Sequence, residues 1–419
     1  MRSTIQIDSR PTDLPPLRLI APNALARADT DTMLSSIARL VASGVATTKA
    51  RLMDSTGLAR STVTSYVAML ERRSVLEQRG TVSRGTRGRP ADQLQISPRA
   101  GLVLAIDLGA QHVRLAVSEL NQHVAARSSQ RLDVGDGPSA VLEEISRTLE
   151  RHLEEVGDGR AVRCVAIGVP ARAHGPSGVA VRPNIMPGWD GFPISGFLEQ
   201  RFGAETVLEN DVNLRAIGEA AALDEDQLPL LAIKVGTGVG AGLVDAQGRV
   251  FHGYDGSAGD IGHIPVRGAP ELPCTCGNIG CIEAVVSVPS IIRRIKTDHP
   301  GLLAADEDEL DQLLTLLRHS DQRVVSIVRA AAETLGEAVA MLCNTLNPRR
   351  IILGGDLTTA TDELLAGVRT VAYQRARPLA TRNLVIGHSV LGELSGLAGA
   401  LVVARESALS PEAMRRLMR

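Results

Sequence analysis

Within the stretch Asp260 to Glu283, DIGHIPVRGAPELPCTCGNIGCIE, one imidazole and three thiols fall close together: His263, Cys274, Cys276 and Cys281. These are the donors a tetrahedral zinc takes, and four of them fill its coordination shell. A filled shell leaves no position for an activated water, so such an ion clamps the chain and does not act as a Lewis acid. Winding a backbone round an ion needs tight turns with positive φ, which Gly277 and Gly280 supply. Any fold for this chain must bring four side chains to one point. The alternative, unconnected buried cysteines beside a surface histidine, has to treat three of five cysteines within one short loop as coincidence. Cys164, in the apolar run CVAIGVP, and Cys343, in a helical pattern, read as core cysteines. Asp260 and Glu283 flank the cluster, and a pinned loop would hold both carboxylates ready to accept hydrogen bonds from a diol. Alone, two acids in a loop are more often solvated charge.

A chain of 419 residues exceeds one core and implies two or three domains. Aromatic residues make up only 2%, so the cores must be built from Leu, Val, Ile and Ala, and stacking platforms for bases or sugars are scarce. No run of about 18 apolar residues is present to span a membrane, and the first residues lack the apolar core of a signal peptide. Thiols at zinc-ligand spacing, in place of a disulfide framework, fit a reducing compartment, and a cytoplasmic location is expected.

Charge is unevenly spread. Net charge is −2, yet between Asp31 and Pro98 ten Lys or Arg face five acids. A basic head on an acidic body is suited to meet a polyanion. Residues 1–30, with prolines at 11, 15, 16 and 22 and no periodicity, read as a flexible arm. From Asp31 a helical stripe of Met33, Leu34, Ile37, Leu40 and Val41 begins. It is followed by helix-turn-helix spacing: Leu52 and Met53 on a short helix, Gly57 at the turn, Leu58 beneath it, and Val63, Val67 and Leu70 inside a second helix. The outer face of that helix, Arg60, Ser61, Thr62, Thr64 and Ser65, suits phosphate and base-edge contacts in a major groove. Ala59 stands where such helices carry a capping Ser, so the cap is lost or moves to Ser61. Two strand-like runs around a Gly- and Arg-rich tip then resemble a wing, with Arg84, Arg87 and Arg89 placed to enter a minor groove. A small helical protein-binding module with a solvated basic loop is the alternative.

At Pro98 the character changes to alternating strands and helices, an α/β body. GLVLAIDLGAQHVRLAVSEL is strand, tight turn and strand. A helix at 140–156, a core strand at Val162–Val169, a strand ending in ENDVN (209–213) and a helix from Leu214 to Leu223 follow. LLAIKVGTGVGAGLVD enters a glycine turn whose Gly236, Thr237, Gly238 and Gly240 would let backbone N–H groups approach a phosphate or a sugar. Helices at 290–296, 305–317 and 322–344 lead to the strand RIILGG, ending at Gly354 and Gly355. A closing helix from Gly396 to Glu406 and an amphipathic tail from Pro411 complete the chain.

With these pieces in order the chain resembles transcription regulators of the ROK family (repressors, open reading frames and kinases), including their sugar-responsive repressors. The resemblance rests on HIPVRGAPELPCTCGNIGCIE, similar to the family's zinc signature, and on ENDVN, GTGVGAG, the GDIGH box and the double glycine after Leu353, over residues 32 to 408. It implies a winged helix-turn-helix followed by a two-lobed actin-like, hexokinase-type ATPase fold with a structural zinc loop. Implied boundaries are an arm at 1–30, the head at 31–97, a first lobe at 98–209 plus about 393–408, a second lobe at 210–392 and a tail at 409–419.

Carried over position by position, sugar contacts fall on Asn184, Asn210, Asp211, Asp260, His263 and Glu283, in a cleft between the lobes. His263 would place one ring nitrogen on zinc and turn the other to the sugar. Nucleotide contacts would fall on Asp107, Gly109, Gly236, Thr237, Gly238, Gly240, Gly354 and Gly355. In family kinases the aspartate of the ENDVN box, here Asp211, is the general base, and ATP with Mg2+ would be needed only in that case. The chain departs from the kinases at Gly109 to His112, where Gln111 and His112 replace a hydroxyl and an ammonium that would face phosphates. It also carries Asp260 where the family usually has Glu.

Three functions follow as expectations. The first is a repressor of carbohydrate genes that binds an inverted-repeat operator as a homodimer or homotetramer and responds to a sugar or sugar phosphate. The second is a sugar kinase with an appended DNA-binding head. The third is a scaffold whose basic head meets protein or RNA.

Overall fold

The computed structural model describes all residues except 1–5, 8–13, 21–28, 83–90, 158, 175–177, 182–185, 267–270 and 306. It divides into two units, Met1–Glu209 with Ala400–Arg419, and Asn210–Gly399.

The first difference from expectation lies at the start of the chain. Residues within the expected flexible arm are held: β1 is Gln6–Ile7, and in the extended run 14–20 both Leu17 and Leu19 are buried. Alternate side chains of an extended segment point the same way, so two leucines suffice to seat it. Its backbone is satisfied by side chains far along the sequence: Leu17 N–H donates to Gln122 Oε1 at 2.8 Å and Ile20 N–H to Glu406 Oε1 at 2.7 Å. Two apolar residues among prolines carry no periodic signal.

The head follows the sequence closely. Helix α1, Thr30–Ala42, starts on the N-cap Asp29, which accepts from the Thr32 amide. Helix α2, Lys49–Thr56, ends on Gly57 at φ 69°, a left-handed cap that glycine takes without strain. Helix α3, Arg60–Arg72, buries Val63, Val67 and Leu70 and exposes Arg60, Ser61, Thr64 and Ser65, with Thr62 half-buried. Ala59 is its N-cap and makes no side-chain bond, so the cap is lost and Ser61 does not replace it. Strands β2, Leu76–Val82, and β3, Ala91–Ile96, pair antiparallel. The tip with Arg84, Arg87 and Arg89 lies outside the described residues.

The rest of the first unit is a six-stranded sheet. Strands β4 (Leu102–Leu108), β5 (His112–Glu119) and β6 (Val124–Arg131) run antiparallel. After α4 (Pro138–Val156) the strand β7 (Val162–Val169) returns parallel to β4. A small hairpin, β8 (Arg172–His174) and β9 (Val179–Val181), α5 (Ile194–Phe202) and β10 (Glu205–Asn210) complete the order β1-β6-β5-β4-β7-β10. Every residue of β4 is buried, as a central strand covered on both faces requires.

The second unit opens with α6 (Asp211–Ala222), which begins three residues earlier than expected because Asn210 caps it. Strands β11 (Leu230–Val235) and β12 (Val239–Val244) form a hairpin. Beyond the metal loop come α7 (Ile282–Val286), α8 (Val288–Asp298), α9 (Glu309–Arg318) and α10 (Gln322–Leu346). Then follow β13 (Arg350–Gly354), α11 (Asp356–Ala360), α12 (Glu363–Arg375), α13 (Pro378–Thr381), β14 (Val385–His388), α14 (Ser395–Ala408) and α15 (Pro411–Met418). The sheet order is β12-β11-β13-β14, with β11, β13 and β14 parallel. Alternation along β11 sends Leu231, Ile233 and Val235 to the large core under α8 to α10 and α12, and Leu230 and Ala232 to α6. Helices α6 and α14 meet at Gly218 and Gly399, where a Cβ on either would collide with main chain of the other: Ser395 O and Leu214 O respectively.

The tail is docked within the first unit. Arg415 of α15 pairs with Asp31 of α1 at 2.9 Å, Arg73 donates to the Met418 carbonyl at 2.8 Å, and Ser35 Oγ to the Leu409 carbonyl at 2.6 Å. Among the described residues no helix is long and apolar enough to cross a membrane.

Candidate effector and metal site

The ligand atoms of His263, Cys274, Cys276 and Cys281 lie within 4.8 Å of one another. Their spacing tests the metal. With Zn–S near 2.3 Å and Zn–N near 2.0–2.1 Å, tetrahedral angles separate two sulfurs by about 3.8 Å and a sulfur from a nitrogen by about 3.6 Å. Cys276 Sγ and Cys281 Sγ stand 3.8 Å apart, and Cys274 Sγ and His263 Nδ1 3.5 Å apart. The residues fit the ion. Burial pushes the Cys281 thiol up to about 12, so binding a cation there must release its proton. Cys164 and Cys343 are buried elsewhere, and burial raises them to about 12 and about 11, as inert core thiols.

The geometry also assigns the ring. Nδ1 faces the thiol and Nε2 lies 3.7 Å from Asp260 Oδ1, so the second nitrogen expected to face a sugar looks first at a carboxylate. At 3.7 Å the carboxylate faces the imidazole as a charge and stands outside hydrogen-bond distance.

The loop is tied to the glycine turn between β11 and β12. Glu283, in the first turn of α7, accepts from Val239 N–H at 3.0 Å through Oε2 and from the Thr275 hydroxyl at 3.3 Å through Oε1. A Cβ at Gly238 would stand 2.7 Å from Glu283 Oε2, and one at Gly262, between Asp260 and His263, would collide with Val239 O. Asp260, His263 and Glu283 are therefore gathered on one side of the turn.

On its other side stands the N-terminus of α6. Asn210 Oδ1 accepts from the amides of Val212 at 2.9 Å and Asn213 at 3.2 Å. Asp211, 3% exposed, receives Lys234 Nζ on Oδ2 at 2.6 Å. Lys234 was not among the expected site residues. The signal was present, because an even-numbered position on β11 otherwise faces α6 with apolar side chains. Asn184 lies outside the described residues.

The expected nucleotide residues separate. Gly236 to Gly238 form the turn at the C-terminal end of β11, and Gly354 and Gly355 end the neighbouring β13. Gly240 also lets α6 lie close: a Cβ there would press on Val212 at 3.2 Å. In the other unit Asp107 is buried and faces Arg114 at 3.8 Å. The His112 ring covers Gly109, with Nε2 2.8 Å from where a Cβ would stand.

Comparison with known proteins agrees with this arrangement. The ROK family model matches residues 103–407. The glucokinase of Halalkalibacterium halodurans is 29% identical over 307 residues, 71% of this chain and 92% of that protein. A putative xylose repressor of Caldicellulosiruptor sp. is 26% identical over 340 residues, 78% of this chain and 84% of that protein. A solved ROK family transcriptional regulator, described as a homolog of the E. coli MLC protein, superposes with a TM-score of 0.75 at 22% identity, covering 93% of this chain and 98% of that one.

Proposed function

The chain belongs to the ROK family, and on that premise we propose that it is a sugar-responsive, DNA-binding transcriptional regulator acting as a repressor. One observation carries this reading. The family body starts at residue 103, yet the likeness to a solved transcriptional regulator covers 93% of the chain and so takes in the head as well. That head is a helix-turn-helix whose α3 offers Arg60, Ser61, Thr62, Thr64 and Ser65. Relatives named xylose repressor, Mlc and N-acetylglucosamine repressor support the same reading.

In this reading a small sugar is held by Asn210, Asp211 and Asp260, joined by Asn184, His263 and Glu283. A structural zinc on His263, Cys274, Cys276 and Cys281 keeps the wall of that site in shape. The ion supplies rigidity, and the residues around it supply the hydrogen bonds. Arg84, Arg87 and Arg89 add minor-groove and phosphate contacts. Heads of this kind read half-sites as a symmetric pair, so the active species is a homodimer or a homotetramer on an inverted repeat. Sugar and operator then weaken each other's binding by one common factor.

The test is capture of fragmented genomic DNA by the zinc-loaded full chain, with sequencing of what is retained. An inverted repeat should emerge, release from it should follow addition of a sugar, and Arg60→Ala should lose about 1–3 kcal/mol of operator affinity. Retention without any shared sequence would refute the reading. A second function, sugar phosphorylation with ATP and Mg2+, is favoured by Asp211 and by the glucokinase relatives, and opposed by His112 over Gly109. Sugar-dependent ADP release that vanishes in Asp211→Asn would decide for it.

A further inference from the structure

Lys234 occupies a position on β11 that the strand pattern reserves for an apolar residue: its neighbours on that face, Leu230 and Ala232, pack under α6. Burying an ammonium is costly unless it is paired. Here the charge is paired, with Nζ on Asp211 Oδ2 at 2.6 Å and side-chain exposures of 14% and 5%. Neither group has a further partner among the described residues. An ammonium carries three donors and a carboxylate two acceptor oxygens. Two N–H donors and Oδ1 thus stay open at the C-terminal end of a parallel strand, where α/β sheets take their ligands. Gly236 beside them has no side chain; a Cβ there would stand 3.4 Å from Lys234 Cε.

Resting on the reading of this region as the effector site, we propose that Lys234 and Asp211 form a donor and acceptor dyad that reads the uncharged terminal hydroxyl of the effector sugar, so that the effector is not phosphorylated there. A hydroxyl is donor and acceptor at once: it takes an N–H from Lys234 and gives its O–H to Asp211. The dyad is neutral and offers both halves of that exchange. A phosphate monoester only accepts, and its two charges would lie against Asp211, with Asp260 and Glu283 on the far side of the same turn. One lysine already committed to a carboxylate does not offset them. Lys234 is accordingly a specificity-determining residue, selecting the neutral sugar over its phosphate.

The experiment uses the zinc-loaded full chain in calorimetric titrations with D-xylose, D-glucose, D-galactose, D-mannose and N-acetyl-D-glucosamine, each beside its terminal phosphate ester. The expected result is that a neutral sugar binds and its ester binds at least tenfold more weakly. Lys234→Met should lose at least tenfold for the neutral sugar, and Lys234→Gln, which keeps a donor, should recover most of that loss. Zinc content and operator binding should be unchanged in both. An ester that binds as tightly as its parent, or Lys234→Met that binds the neutral sugar unchanged, overturns the dyad and leaves the effector reading standing. Wild-type protein that binds none of these compounds overturns both. Should Lys234→Met fail to fold, the wild-type ratio and the glutamine variant decide.

Discussion

The loop from Asp260 to Glu283 and the run 14–20 near the start of the chain are both irregular, and both are fixed, by opposite means. The loop brings its own fastening: four donors within 4.8 Å of one another, with Asp260 behind the imidazole and Glu283 tying it to the glycine turn. The early run brings two leucines and open amides, and its fastening comes from Gln122 and Glu406. A segment that carries its own chemistry keeps its shape wherever the ion is available. One that borrows its partners holds only while they stay in place.

Three experiments sharpen or break that contrast. The largest effect belongs to the loop. Structural zinc contributes roughly 10 kcal/mol or more in small metal-dependent folds, so Cys281→Ser should reduce bound zinc from one ion per chain to little or none by elemental analysis. Limited proteolysis should then cut between 264 and 280. Full zinc with an uncut loop would break the comparison.

Next is the borrowed fastening. Leu17→Ala removes a buried side chain and should cost about 2–4 kcal/mol locally. Hydrogen exchange at the Leu17 and Ile20 amides should accelerate while zinc content stays constant. Exchange as slow as in the parent would mean the run is held by something other than its leucines.

The smallest effect concerns Glu406. Burial raises its carboxyl above the usual range, against the opposing pull of Arg39. A carboxyl raised on folding binds more protons folded than unfolded, so its contribution falls as pH rises from near 4.5 through the raised value and is constant above it. The stability of the parent measured relative to Glu406→Gln should fall with pH across that window, by about a kcal/mol or less. A difference that stays flat or rises would overturn the raised carboxyl.

The same contrast explains what could be read from residues alone. The cluster of His263, Cys274, Cys276 and Cys281 was legible because ligand chemistry is written in residue type and spacing, and the fold brings all four ligand atoms together. The head was legible because Val63, Val67 and Leu70 follow helical spacing and Gly57 marks its turn. The seat of residues 14–20 was not, because Gln122 and Glu406 lie 105 and 386 positions from the amides they accept. The packing role of Gly240 was hidden for a related reason: a glycine that lets a helix lie close and a glycine that admits a phosphate are the same letter, and the contact with Val212 shows only in the fold. Lys234 lay in view within LLAIKVGTGVG, but a lysine in a strand reads as a solvated edge until its carboxylate partner is known.

Gly218 and Gly399 carry a consequence for how this protein can vary. Two main chains touch where they cross, and even a methyl group has nowhere to go on either side. Neighbouring positions can exchange one aliphatic residue for another and let packing readjust, but these two admit no trade. In a saturation library they should come back as blanks, and whatever diversity descendants of this sequence acquire must be written around that fixed point.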